Sequence, residues 1–219
     1  MKVYSVFVVA LCVMINVIDG FDILALSFAA PVVVREWGLT PEQTGVVFSA
    51  NLVGIGVGAF VFALAADILG RRPVILFGTA LMSVGMLLTA TVDGITGLAA
   101  CRIVTGLGIG AMVSTAGTLA IEYSTPRWRK LSVALVVIGY PIGGALGGPV
   151  AAWLLAHHGW RPIFLFGGAL TVLLFPLLWR RLPESRELPP PEQRVGAAGQ
   201  FAALWQPAHR RATTLLCAM

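Results

Sequence analysis

Apolar residues run along this chain in six long blocks, at approximately 4–30, 42–66, 74–92, 96–123, 131–156 and 161–180, and most charged residues fall between them. Crossing a bilayer takes about 20 apolar residues at about 1.5 Å rise each, so each block is long enough to span. The pattern predicts six transmembrane helices. Local chemistry marks the start of the second. Thr40-Pro41-Glu42-Gln43 offers an N-cap, a proline at the first helical position and a Gln able to close a capping box. Trp37, Trp128, Trp160 and Trp179 all fall near predicted ends, where an amphipathic ring prefers the headgroup layer.

Composition moves the reading from helical to membrane-embedded. Of 219 residues, 58% are hydrophobic and only 11% charged, whereas soluble domains carry roughly 25% charged residues. A bilayer supplies a solvent in which lipid-facing Leu, Val and Ile need no polar cover. The opening Met1-Lys2 before an apolar run has the look of a secretory signal, but the run is too long, Asp19 and Asp22 interrupt it, and similar runs recur. It reads as the first spanning helix. Cys12, Cys101 and Cys217 are odd in number and widely spaced, which suits neither a disulfide framework nor a metal site.

The net charge of +5 comes from clusters between apolar runs, with no basic stripe interleaved with aromatics. That is a topology signal and excludes a nucleic-acid partner. With a cytoplasmic amino terminus, twelve Lys and Arg lie inside and only Arg35 and Arg161 outside, leaving Arg102 within the membrane. Both ends of the six-helix unit are therefore expected in the cytoplasm. The domain reading is a transmembrane unit over 1–182, a charged, proline-rich cytoplasmic linker over 183–211, and the start of a seventh helix over 212–219. On this reading the chain stops inside a helix and is cut short.

Polar groups inside the spans carry the candidate chemistry. In the first, Asn16, Asp19 and Asp22 are spaced three apart and can share a helix face. Two like charges on a dry face repel, so at least one Asp is expected to take up a proton. Arg102, near the start of the fourth span, costs roughly 3 kcal/mol or more in hydrocarbon and should meet a carboxylate or a cavity. Asp22 and Arg102 both sit roughly 10 Å from the outer surface at about 1.5 Å per residue, so they can meet. A static ion pair that only holds the bundle together is the plainer alternative. Asn51 and Tyr140 are isolated polar groups that either line a cavity or satisfy a neighbouring helix. Gly106, Gly108 and Gly110 do not all share one helix face, and close helix packing accounts for them.

The loop Ala65-Ala66-Asp67-Ile68-Leu69-Gly70-Arg71-Arg72-Pro73 resembles the signature that joins the second and third helices of major facilitator transporters, with Ala63 where the family usually has Gly and Ile68 where it usually has Arg. Asp19-Gly20-Phe21-Asp22, Ser27-Phe28-Ala29-Ala30-Pro31, Glu122-Tyr123, Gly139-Tyr140-Pro141, Gly159-Trp160-Arg161 and Leu182-Pro183-Glu184-Ser185 narrow the resemblance to the aromatic acid to proton symporters, over essentially residues 5–215. The resemblance implies an all-α membrane fold, the amino-terminal half of a major facilitator with a 3+3 inverted repeat, in the inner membrane. It implies proton-coupled uptake of a benzoate- or hydroxybenzoate-like anion, with Asp19, Asp22 and Arg102 critical to transport. Glu122 follows as a further charged position, for which pairing with Arg127 or Arg129 is the alternative. Asp67, Gly70, Arg71 and Arg72 follow as a gating loop, in which topology anchoring alone also accounts for the two arginines.

Expected partners are the organic anion, the proton, the bilayer, and either a missing carboxy-terminal half or a second half-unit. The runner-up function is an incomplete or non-transporting half-unit of a carrier for another small organic anion. His157-His158 has no third ligand nearby in sequence, so no metal is expected. The glycine clusters lie in apolar helices without the strand context of phosphate loops, no nucleophile with a paired base is found, and neither cofactor nor enzyme activity is expected.

Overall fold

The structure, a computed structural model, describes residues 3–185. They form six helices: α1 (Val3–Trp37), α2 (Pro41–Leu69), α3 (Arg71–Thr89), α4 (Ile95–Glu122), α5 (Arg129–His158) and α6 (Arg161–Arg181). All six are long and apolar enough to cross a membrane. Most of the expected linker (186–211) and the expected start of a seventh helix (212–219) lie outside the described residues. The capping box at α2 forms as its sequence predicts: the Thr40 hydroxyl accepts from the Gln43 N–H, and the Gln43 side chain accepts from the Thr40 N–H.

Short loops reverse the chain at each helix end, so neighbours in sequence run antiparallel. Tyr4 at the start of α1 meets Tyr123 just past α4 edge to face, and Trp37 at the end of α1 meets Trp160 at the entrance to α6. One end of the bundle, here termed the arginine face, thus carries the α2–α3 and α4–α5 loops. The opposite face carries the others.

The boundaries differ most from the sequence pattern at the end of α1 and around the α2–α3 turn. Helix α1 continues through Pro31 to Trp37, because a proline removes one backbone donor and membrane helices recover that loss through packing. Buried Val33 and the Trp37–Trp160 contact supply that packing. At 35 residues the helix spans about 52 Å, longer than the roughly 30 Å hydrocarbon core. Helix α3 begins at Arg71, directly after Gly70.

Glycines set the helix pairs. Helix α2 packs mainly on α4, and α5 on α1. A Cβ on Gly106 or Gly110 would strike the α2 backbone, whereas one on Gly108 would strike α3 at Gly78 and Met82. Alternate glycines therefore serve two different neighbours. Between α1 and α5 the backbones are equally close, with Gly20 against the Tyr140 carbonyl and Gly143 against Val17. Exchanging the first three helices for the last three converts the α2–α4 pair into α5–α1 and returns α3–α6 to itself, as a 3+3 inverted repeat requires.

Candidate functional site

Four helices converge on Arg102. Its side chain is 1% exposed, and Nη1 lies 3.4 Å from Oδ1 of Asp22, itself 0% exposed. Nη2 donates to the Thr89 hydroxyl at 2.6 Å, and the guanidinium sits 4.9 Å from the centroid of the Phe164 ring. Thus α1 supplies the charge, the end of α3 a neutral acceptor, and α6 an aromatic face, each offsetting part of the desolvation of a buried cation. At 3.4 Å the carboxylate contact is longer than a tight charge-assisted bond of about 2.8 Å. The Thr89 bond is the shorter of the two.

Asp19 lies one turn before Asp22 on α1 and is buried, and neither of its carboxyl oxygens has a hydrogen-bond partner among the described residues. Asp22 Oδ2 and Arg102 Nε are unpartnered in the same sense. A buried polar group without a partner costs about 1–3 kcal/mol, more when charged. The cluster therefore holds one loosely closed ion pair and one carboxyl group with open valences, an arrangement able to accept a proton or a small ligand. Tyr140, half-buried on α5, approaches the same stretch of α1 through its backbone carbonyl on Gly20, the residue after Asp19.

Asn51 lies apart from this contact set, at the α2–α4 crossing, buried, with its backbone carbonyl against Gly106 and its side-chain oxygen unpartnered among the described residues. Asn16 donates to the Cys12 carbonyl of its own helix at 3.0 Å, although its spacing aligns it with the two aspartates.

The second group of predicted residues gathers at the arginine face. Glu122 is 20 positions beyond Arg102 on α4, about 30 Å along the axis, and so belongs to this group and not to the buried ion pair. Its carboxylate receives Arg71 Nε at 2.6 Å and the Ser185 hydroxyl at 2.6 Å. Arg71 also comes within 4.0 Å of Asp67, one turn earlier. Arg72 donates to the Trp179 carbonyl at 2.6 Å. Gly70 joins α2 to α3 at φ +107°, a conformation that disfavours any side chain, and a Cβ there would fall 2.8 Å from the Glu184 carboxyl. Glu184 Oε1 occupies that space and accepts from the N–H groups of Arg71, Arg72 and Ser185. It fills the helix N-terminus with negative charge, where free donors and the helix dipole both favour it.

Thr89, Phe164, Glu184 and Ser185 were not singled out as site residues by the sequence. Thr89 is a hydroxyl near the end of an apolar run, a weak signal. Glu184 offers a stronger one, an acidic group held close to the membrane just past α6.

Residues 12–219 match the family described as Major Facilitator Superfamily. The chain belongs to the Major Facilitator Superfamily. Similar members include the gallate transporter of Pseudomonas putida, 37% identical over 91% of this chain and 46% of that protein. The 4-hydroxybenzoate transporter PcaK of Acinetobacter baylyi is 36% identical over 83% of this chain and 40% of that one. The 3-(3-hydroxy-phenyl)propionate transporter of Escherichia coli is 33% identical over 95% and 51%. The chain spans about half the length of the curated relatives it matches. Among solved major facilitator structures, a bacterial homolog of the human lysosomal transporter Spinster superposes with TM-score 0.76 at 18% identity, covering 93% of this chain and 49% of that one. A double-Trp mutant of XylE gives 0.74 at 15%, covering 97% and 51%.

Proposed function

We propose that this chain is the amino-terminal half of an inner-membrane carrier that imports small aromatic carboxylates together with protons, with the arginine face in the cytoplasm. The observation that carries the reading is the buried Asp22–Arg102 pair one turn from the unpartnered Asp19. The names of the relatives, transporters of gallate, 4-hydroxybenzoate and 3-(3-hydroxy-phenyl)propionate, supply the substrate class.

In this reading a substrate carboxylate competes with Asp22 for Arg102, whose Nε is free of partners among the described residues. Asp19 takes the proton, since a buried carboxyl group with no hydrogen-bond donor among the described residues is costly to keep charged. The proton and the substrate anion cancel each other, so loading both adds no net charge to the cluster, and the six-helix unit rocks against a second bundle around the site. The exposed apolar faces of α2 and α5, including Leu52, Val53, Val57, Val137 and Leu146, suit that second bundle. Arg71, Glu122 and Glu184 tie the loop between α2 and α3 to α4 and to the segment past α6, so the unit moves as one body.

Uptake of a radiolabelled hydroxybenzoate by cells expressing the complete carrier tests the reading. Asp22→Asn and Arg102→Ala are each expected to abolish concentrative uptake. Parental rates in both would defeat the mechanism.

A further inference from the structure

At the arginine face, α3 and α6 part around an open cleft of about 530 Å³. Its walls are two antiparallel rows of side chains. Arg72, Leu76 and Ala80 lie four residues apart along α3, and Phe175 and Trp179 four apart along α6. From Arg72 to Ala80 the α3 row descends about 12 Å toward the bilayer centre. The cleft is thus charged at its mouth and apolar below, with an exposed tryptophan at the level where such rings prefer the membrane interface.

The charge around the mouth is predominantly positive. Arg71 is bound to Glu122 and Asp67. Arg72 forms no ion pair with a described residue, and its Nε, closed off from solvent, has no partner among them. Arg180 and Arg181 follow Trp179 directly, both exposed. The opposing charge is Glu184, which lines the same cleft and whose Oε1 is already engaged by three backbone N–H groups. Arg72 and Glu184 line the cleft itself, and with Arg180 and Arg181 exposed just beyond Trp179 this end of the helix pair carries three guanidinium groups against one carboxylate already held at a helix N-terminus.

We propose that this cleft binds an anionic phospholipid, its phosphate at Arg72 with Arg180 and Arg181 alongside, and an acyl chain between Leu76 and Phe175. A basic pocket between transmembrane helices at the membrane surface is the kind of site that holds anionic headgroups. The gradient from cation to aromatic to aliphatic wall matches a phospholipid and suits neither a soluble anion, which needs no apolar slot, nor a zwitterionic lipid, whose own cation would face the arginines. The site stands whether or not the carrier takes up aromatic acids, since it depends only on the helices lying in a bilayer.

The test uses the complete carrier in phosphatidylcholine vesicles doped with either phosphatidylglycerol or phosphatidylcholine bearing a photoreactive acyl chain, with cross-linked peptides mapped by mass spectrometry. Phosphatidylglycerol labelling is expected to concentrate on 72–80 and 175–181 and to exceed the phosphatidylcholine signal there. Arg72→Gln should lower it about fivefold, the effect of one basic residue near a membrane surface. Ala80→Phe, which fills the lower cleft without altering charge, should also lower it, so the proposal remains testable if Arg72→Gln fails to insert. Equal labelling by the two lipids, labelling spread evenly over lipid-facing helices, or absence of label because the second bundle covers the cleft would each overturn it.

Discussion

Asp22 on α1 and Arg102 on α4 face each other across 3.4 Å in the bundle interior, while Asp19, one turn from Asp22, is buried beside them without a hydrogen-bond partner among the described residues. The two aspartates are chemically alike in sequence and differ only in what surrounds them. Their variants should therefore behave differently.

Asp22→Asn leaves the Arg102 guanidinium buried with only Thr89 and Phe164, and removing one member of a buried pair costs about 3–5 kcal/mol. The expected outcome is a clear fall in thermal unfolding temperature together with loss of uptake. Asp19→Asn removes no observed bond, so folding should be close to parental. Concentrative uptake is expected to fail while exchange of internal for external substrate persists. Thermal scans alongside paired uptake and exchange assays would check both.

Thr89→Val removes the shorter of the two hydrogen bonds to Arg102 at nearly constant volume. Its effect is expected at about 1.5–3 kcal/mol, as for a hydrogen bond to a charged group, and substrate affinity should fall more than maximal rate. Thr89→Ser, which keeps the hydroxyl, should restore most of both.

Gly143→Val places a side chain into the backbone of Val17 at the α1–α5 crossing. With no flexible neighbour to yield, the loss should be at least about 1–3 kcal/mol, read as lower yield of folded protein in the membrane. Gly45→Val on α2, where nothing lies within 4 Å, serves as the tolerated comparison.

The Arg71–Glu122 pair joins a carboxylate side chain 1% exposed to a guanidinium 17% exposed. A double-mutant cycle with Arg71→Gln and Glu122→Gln should give a coupling of about 0.5–3 kcal/mol. Arg161 on the opposite face is 36% exposed and pairs with Asp93, 85% exposed, and Glu36, 45% exposed. The corresponding cycle there should stay within about 1 kcal/mol and shrink with added salt.

Much of this protein is written in local order along the chain. Apolar length alone delimits six spans, Thr40 to Gln43 mark the start of α2, and a guanidinium at position 102 inside an apolar run demands a partner, because hydrocarbon leaves such groups no water. Helix spacing also puts Asp19 and Asp22 on one face. Local order cannot say how helices rotate against each other, and that rotation decides every long-range partner. Close glycine contacts fix it: Gly106 and Gly110 bring α2 onto α4, and Gly20 and Gly143 bring α1 onto α5. Only with the helices so seated does Arg102 reach Asp22 and Thr89 while Asp19 is left without a donor, and only then does Glu122, about 30 Å further along α4, take Arg71 as its partner. Packing between backbones, set by residues with no side chain at all, turns a list of polar groups into a site.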